Sequence, residues 1–125
     1  MIENLARELA REISSKSREV YEVILPPIDI YSDGKDLVVE VDLPGFKKES
    51  IVTNVTESTL SISATRERVE GVSYYWEQRP LRIHRTIPLP VKVDVKEGAE
   101  PTGKYENGVL TIRLPIKGIR SVKIE

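Results

Sequence analysis

The chain has 125 residues, a net charge of −1 and no cysteine. This length fits a single domain, the balanced charge argues against a nucleic-acid partner, and the lack of cysteine excludes disulfides and cysteine-ligated zinc. No apolar run reaches the roughly 18 residues of a membrane helix, and the N-terminus lacks a signal-peptide pattern. We therefore expect a cytoplasmic protein without membrane insertion. Abundant Glu, Lys and Arg beside a single glutamine follow the compositional tendency of thermophiles.

Residues 1–26 are predicted to form a helical N-terminal arm, which ends because Pro26 and Pro27 interrupt helical hydrogen bonding. Apolar residues recur every three or four positions and form one stripe on this helix, namely Ile2, Leu5, Leu9 and Ile13. The stripe has three candidate partners: the rest of the chain, a membrane, or unfolding proteins. A short helix whose apolar stripe has no aromatic residue is a poor membrane anchor, whereas a weakly buried stripe suits the capture of many different apolar surfaces. We therefore expect these four residues to bind client proteins.

From residue 28 onward the hydrophobic period changes to two, which is typical of half-buried strands. Long strands are predicted around residues 37–43, 60–65, 83–87 and 110–114, and shorter ones at 28–31, 51–55 and 102–106. Asp33-Gly34 and Asn107-Gly108 are hairpin signals, because both pairs tolerate the positive φ of tight turns. Many short strands without intervening helices predict an all-β, antiparallel sandwich over residues 27–115.

Two further segments exceed what a plain sandwich needs. The insertion at residues 66–80 carries Tyr74, Tyr75 and Trp76, and large exposed rings lower solubility. We expect this loop to bury against a second subunit, against its own chain, or against a glycan or single strand that stacks on the rings. The tail, residues 116–125, carries Val122 and Ile124, which point the same way in an extended segment. These two form either an anchor for another subunit or a last edge strand.

The residues that most enzymes need are missing from the sequence. His84 is the only histidine, and strand alternation places it on the solvent side, so the usual nucleophile–base pairs and zinc sites cannot form within one chain. Asp33 and Asp36 flank a turn and are interpreted as solubilising residues. The glycines form no phosphate-binding loop ahead of a helix. We predict no catalytic residue, no metal and no cofactor.

The chain carries four short motifs whose order and spacing are shared with one known family. Residues 103–110 read G-K-Y-E-N-G-V-L and resemble A-x-x-x-N-G-V-L, the signature of the α-crystallin domain. Residues 42–45, D-L-P-G, resemble the end of its opening strands, and residues 83–90 resemble its arginine-containing strand that ends in Leu-Pro. V-K-I at residues 122–124 is similar to the family's I-x-I anchor. The chain therefore resembles a small heat shock protein of archaeal type.

This resemblance implies an α-crystallin-type, immunoglobulin-like sandwich with a helical arm and a C-terminal extension. It also implies an ATP-independent holdase that binds unfolding client proteins and assembles from dimers into a large, dynamic homo-oligomer of about two dozen subunits. By the same resemblance, Val122 and Ile124 enter a groove of a neighbouring subunit. The groove residues are then Ile51, Val55, Gly103 and Tyr105.

The resemblance further implies that the aromatic loop is exchanged between the two subunits of a dimer. The dimer interface would contain Ile28, Ile30, Tyr74, Tyr75, Trp76 and Arg85. Arg85 would need a carboxylate or a backbone acceptor from the partner, because a lone buried cation is unfavourable. The main rival is a monomeric co-chaperone or adaptor with the similar sandwich of the CS family, and a weaker rival is a glycan-binding sandwich. The tail and the aromatic insertion favour the first interpretation, since a monomeric adaptor has little use for either.

Overall fold

The computed structural model describes residues 2–118 and 122–125. A long helix, α1 (Ile2–Ile24), comes first. Seven strands follow in the described residues: β1 (Ile28–Ser32), β2 (Asp36–Asp42), β3 (Val52–Val55), β4 (Thr59–Thr65), β5 (Arg82–Pro88), β6 (Thr102–Glu106) and β7 (Val109–Pro115). The predicted helix and the predicted strands are confirmed, with ends that differ by one or a few residues.

The strands form two antiparallel sheets. One sheet has the order β1-β2-β7-β6, and the other has the order β3-β4-β5. In the first sheet Val39 of β2 pairs with Ile30 and Ile112, and in the second Ile62 of β4 pairs with Thr53 and Arg85. The predicted all-β sandwich is thereby confirmed. Four strands (β1, β6, β3 and β5) have only one neighbour in their sheets, so each leaves one row of backbone hydrogen-bonding groups without a strand partner.

The core lies between the two sheets and follows from strand alternation. Every second residue of β4 and of β7 is buried, while the residues between them are half-buried or exposed. One cluster of buried side chains fills the interior: Leu37, Val39, Val41, Leu43, Phe46, Leu60, Ile62, Ala64, Ile83, Ile87, Val93, Leu110, Ile112 and Leu114.

The Asn107-Gly108 pair forms the predicted hairpin turn between β6 and β7. Asn107 has φ 53° and Gly108 has φ 77°, as a tight hairpin of two positive-φ residues requires. A Cβ at Gly108 would lie 3.2 Å from the Cα of Pro44, and the Gly108 carbonyl accepts a 2.7 Å hydrogen bond from the Leu43 N–H. The turn therefore packs closely on residues 43–44, which leaves little room for a side chain.

Helix α1 packs beside β5. No helix in the described residues is long and apolar enough to cross a bilayer.

Candidate functional sites

An apolar groove opens where an edge of one sheet meets an edge of the other. Its volume is about 260 Å³. Its walls come from β3, from the start of β6 and from the core beneath them: Thr53, Asn54, Val55, Leu60, Pro101, Thr102, Gly103, Leu110, Ile112 and Leu114. Because β3 and β6 are both edge strands, their outer backbone groups lie beside an opening into the core. An extended peptide with aliphatic side chains is the ligand that such a groove fits.

The structure places the four predicted groove residues in two different settings. Val55 and Gly103 line the groove. Ile51 packs against the core instead, and so does Tyr105, whose hydroxyl donates to the carbonyls of Leu43 (2.6 Å) and Phe46 (2.9 Å). Tyr105 therefore fixes the segment after β2 and is not part of the groove wall. Sequence reasoning missed Thr53, Asn54 and Pro101 because their polar or turn-forming character carries no groove signal.

Gly103 is the open position of the groove. A Cβ built on it meets no atom within 4 Å, and its φ is not in the positive range. A side chain at this position is therefore compatible with the isolated sandwich. That side chain would extend into the groove. The absence of a side chain at Gly103 therefore matters only for a ligand that enters the groove from outside the chain.

The last four residues form no helix or strand. The side chains of Val122 and Ile124 are 84% and 91% exposed, respectively. In the described part of the chain, Val122 and Ile124 are thus not paired as a last edge strand. They are available to a binding partner.

The loop at residues 66–81 contacts helix α1. Its three rings lie at different depths: Tyr74 is half-buried, while Tyr75 and Trp76 are exposed. The Tyr74 hydroxyl accepts from the Val69 N–H at 2.9 Å, and Arg7 of α1 lies 4.7 Å from the centre of the Tyr75 ring. In the single chain, the loop thus has packing within its own chain, which was one of the expected alternatives.

Glu77 is the centre of the contact between the loop and the helix. Its carboxylate accepts from Arg18 of α1 at 2.6 Å and from both Nε and Nη2 of Arg68. Its backbone N–H donates to the Ser14 hydroxyl at 3.0 Å, and Ser14 is only 1% exposed. The hydrogen bonds from Arg68, opposed by desolvation and aided by Arg18, hold the pKa of Glu77 below its usual range.

A carboxylate of the helix also bonds to the loop. Glu22 accepts from the backbone N–H groups of Leu81 (2.8 Å) and Arg82 (2.9 Å). Together with Ser14 and Arg18, it forms a row spaced by four residues, which lies on one face of the helix. These polar residues attach α1 to the sandwich. The sequence analysis did not identify this attachment, because polar residues at this spacing usually face solvent.

The apolar stripe of α1 lies on the side of the helix opposite this polar row. Its four residues, Ile2, Leu5, Leu9 and Ile13, are between 48% and 84% exposed. Val20, Val23 and Ile24 extend it and are exposed as well. The stripe therefore does not pack on the chain's own sandwich, and it is available to a partner.

Arg85 differs from its predicted environment in one respect. Its Nη1 donates to the backbone carbonyls of Pro26 (3.0 Å) and Ile24 (3.3 Å) of its own chain, so its acceptors do not have to come from a partner. Ile28 and Ile30 lie on β1, where both are half-buried and packed against the core. β1 is an edge strand, so its backbone stays open to another strand.

Other polar residues have structural roles. His84 is exposed on β5, as strand alternation predicts. Asp33 accepts from the N–H groups of Asp36 and Lys35 and binds Arg113, and these contacts lower its pKa to about 2. Asp33 therefore stabilises the turn between β1 and β2.

The Hsp20/alpha crystallin family matches residues 29–124. The chain belongs to this family. It is 36% identical over 97 residues to heat shock protein 16 of Schizosaccharomyces pombe, covering 72% of this chain but only 65% of that protein. It is 30% identical over 110 residues to a probable 15 kDa heat shock protein of Leptospira interrogans, covering 86% and 82% of the two chains.

Solved structures agree with this assignment. Two mutants of hsp14.1 from Sulfolobus superpose on this chain. The Del-C4 mutant has 50% identity and a TM-score of 0.73, covering 81% of this chain and 83% of that one. The other has 46% identity and a TM-score of 0.75, covering 99% and 98%. The predicted α-crystallin-type sandwich and the archaeal-type resemblance are confirmed. Membership in a family of small heat shock proteins supports a chaperone role.

Proposed function

We propose that this small heat shock protein is an ATP-independent holdase of the cytoplasm, which binds partly unfolded proteins through helix α1 and prevents their aggregation. One observation carries the proposal. The helix is attached to the sandwich by Ser14, Arg18 and Glu22, while its apolar stripe faces away. Exposed apolar patches of this kind are rare on proteins that have no partner.

An aggregation assay tests the holdase proposal. The full chain should suppress the turbidity of a heated model client without added nucleotide. Leu5→Gln combined with Leu9→Gln should weaken the protection several-fold, because Gln keeps the helix propensity of Leu but not its apolar surface. Val91→Gln with Val95→Gln, which changes two exposed apolar residues outside α1, the loop and the tail, is the matched control. Absence of protection by the wild type, or equal protection by both variants, contradicts the proposal.

Assembly is proposed to use the tail and the groove. In this arrangement, Val122 and Ile124 of one subunit insert beside Val55 and Gly103 of another, and the tail backbone pairs with an open sheet edge. Each contact is weak alone because docking opposes the apolar gain. Many contacts at once hold dimers in a large homo-oligomer.

Dimers are proposed to form by exchange of the aromatic loop onto the β1 edge of the partner. The exposed rings of Tyr75 and Trp76 and the open edge of β1 support this arrangement. The chain would then comprise an arm (1–26), an α-crystallin domain (27–115) and an anchoring extension (116–125). A mass measurement by light scattering tests assembly, and a monomer at working concentration would favour the CS-type adaptor instead.

A further inference from the structure

Helix α1 distributes its charges unequally between its two sides. All three of its arginines face the 66–81 loop: Arg7 lies on the Tyr75 ring, Arg11 lines the cavity beside residues 67–74, and Arg18 pairs with Glu77. The carboxylates at Glu8, Glu12 and Glu19, by contrast, are exposed. The three arginines of the helix are therefore directed toward the chain's own loop, whereas Glu8, Glu12 and Glu19 remain on its exposed surface.

The three exposed carboxylates border the apolar stripe. Glu8 follows Leu5 by three residues, Glu12 follows Leu9 by three, and Glu19 precedes Val23 by four, so each is a neighbour of a stripe residue on the same side of the helix. One cation, Lys16, lies near this border and is 3.2 Å from Glu12. Both side chains of that pair are well exposed, so the pair contributes little and exchanges readily. The border keeps a negative balance of three carboxylates against one ammonium.

From this arrangement we propose that the α1 stripe selects apolar segments that are flanked by lysine or arginine. The proposal rests on the holdase function above and names its preferred substrate class. A partner that covers the stripe brings its own flanks to Glu8, Glu12 and Glu19. Acidic flanks repel there and basic flanks attract, which shifts both affinity and encounter rate.

A second copy of α1 is a poorer occupant of the same surface. In an antiparallel pair related by a two-fold axis, the same edge of each helix meets its copy, so the three carboxylates of one helix would face those of the other. Like charges at close range are unfavourable. The opposite edge of the stripe carries Ala6, Ala10 and Ser17, which offer no compensating cation.

Peptide binding to the full chain tests the inference. Two labelled peptides share one apolar sequence and differ only in having lysine or glutamate flanks, and fluorescence anisotropy gives their affinities. At low ionic strength the lysine peptide should bind about tenfold more tightly, since each exposed ion pair contributes a factor of roughly 1.4 to 5. The preference should shrink at high salt because exposed charges are screened.

Charge variants locate the preference on the helix. Glu8→Gln, Glu12→Gln and Glu19→Gln together should bring the ratio of the two affinities close to one. Glu49→Gln, Glu97→Gln and Glu100→Gln remove the same charge from exposed positions outside α1 and should leave the ratio unchanged. Equal affinity of the wild type for both peptides overturns the inference. It is also overturned if the α1 variant changes the oligomer mass and leaves the affinity ratio intact, because the border would then serve a contact between subunits.

The outcome can be separated from that of the holdase proposal. A client without charged flanks should be protected equally by the wild type and by the α1 charge variant, because the stripe itself is unchanged. If the wild type does not protect the client, the holdase proposal is contradicted. If the wild type protects the client but binds the lysine-flanked and glutamate-flanked peptides equally, only the proposed charge selectivity is contradicted.

Discussion

Removing the two tail side chains should release dimers from the assembly without unfolding them. The side chains of Val122 and Ile124 are 84% and 91% exposed in the single chain, so nearly all of their apolar surface is available for burial in a neighbour. Alanine at both positions removes two carbons from one residue and three from the other. At about 0.8 kcal/mol per buried carbon, the loss approaches 4 kcal/mol per tail, or roughly three orders of magnitude in the affinity of one contact.

Size-exclusion chromatography with light scattering measures the expected change, and circular dichroism checks that the sandwich is intact. Alanine at Val91 and Val95 is the matched control, because these valines are also exposed but lie outside the tail. The control should keep the wild-type mass. Conversely, Val122→Ile should strengthen assembly by adding one buried carbon. If the tail double variant elutes with the wild-type mass, Val122 and Ile124 are ordinary surface residues and assembly is held elsewhere.

Three further predictions concern the groove, the loop and the helix contact. Gly103→Leu should lower the oligomer mass and leave the thermal unfolding midpoint unchanged or slightly raised, whereas Gly103→Ala should keep the wild-type assembly. An oligomer mass that the leucine variant leaves unchanged would contradict the groove assignment. Tyr75→Ala with Trp76→Ala should yield monomers in sedimentation at low concentration, and persistent dimers would refute loop exchange. The depressed pKa of Glu77 stabilises its folded contacts above the usual carboxyl pKa of about 4.3. The protection of the Glu77 amide, measured relative to an unstructured amide at the same pH, should therefore decrease as pH falls below that value. Glu77→Gln should show fast exchange already at neutral pH, and protection that grows on acidification would contradict this sign.

The fold was largely predictable because its signals are local. The Asn107-Gly108 turn, the alternation in β4 and β7 and the proline pair after α1 each determine their own segment. The positions of individual groove residues were less predictable. Tyr105 has the spacing of a groove residue, but its hydroxyl is satisfied by two carbonyls 59 and 62 positions away in sequence. No local sequence pattern around Tyr105 predicts these two long-range hydrogen bonds.

The orientation of α1 was predictable only in part. Its apolar stripe was predicted from residues that recur every three or four positions. This periodicity alone does not determine whether the apolar face of a helix packs on the core or faces away from it. The deciding residues are polar. Ser14 and Glu22 bond to backbone groups of the loop, and Arg18 bonds to Glu77. Each of these contacts spans about 60 residues, so the attachment is a property of the tertiary structure.

The groove and the stripe lie at opposite ends of the same sheet. In the order β3-β4-β5, the groove borders β3 and the helix packs beside β5. A tail that occupies the groove therefore covers backbone and core at one edge, while the α1 stripe at the other edge stays uncovered. For this reason, assembly and client binding do not have to compete for one surface. The tail variants should consequently change the size of the particle and leave protection per subunit largely intact, and a parallel loss of both would place client binding in the groove.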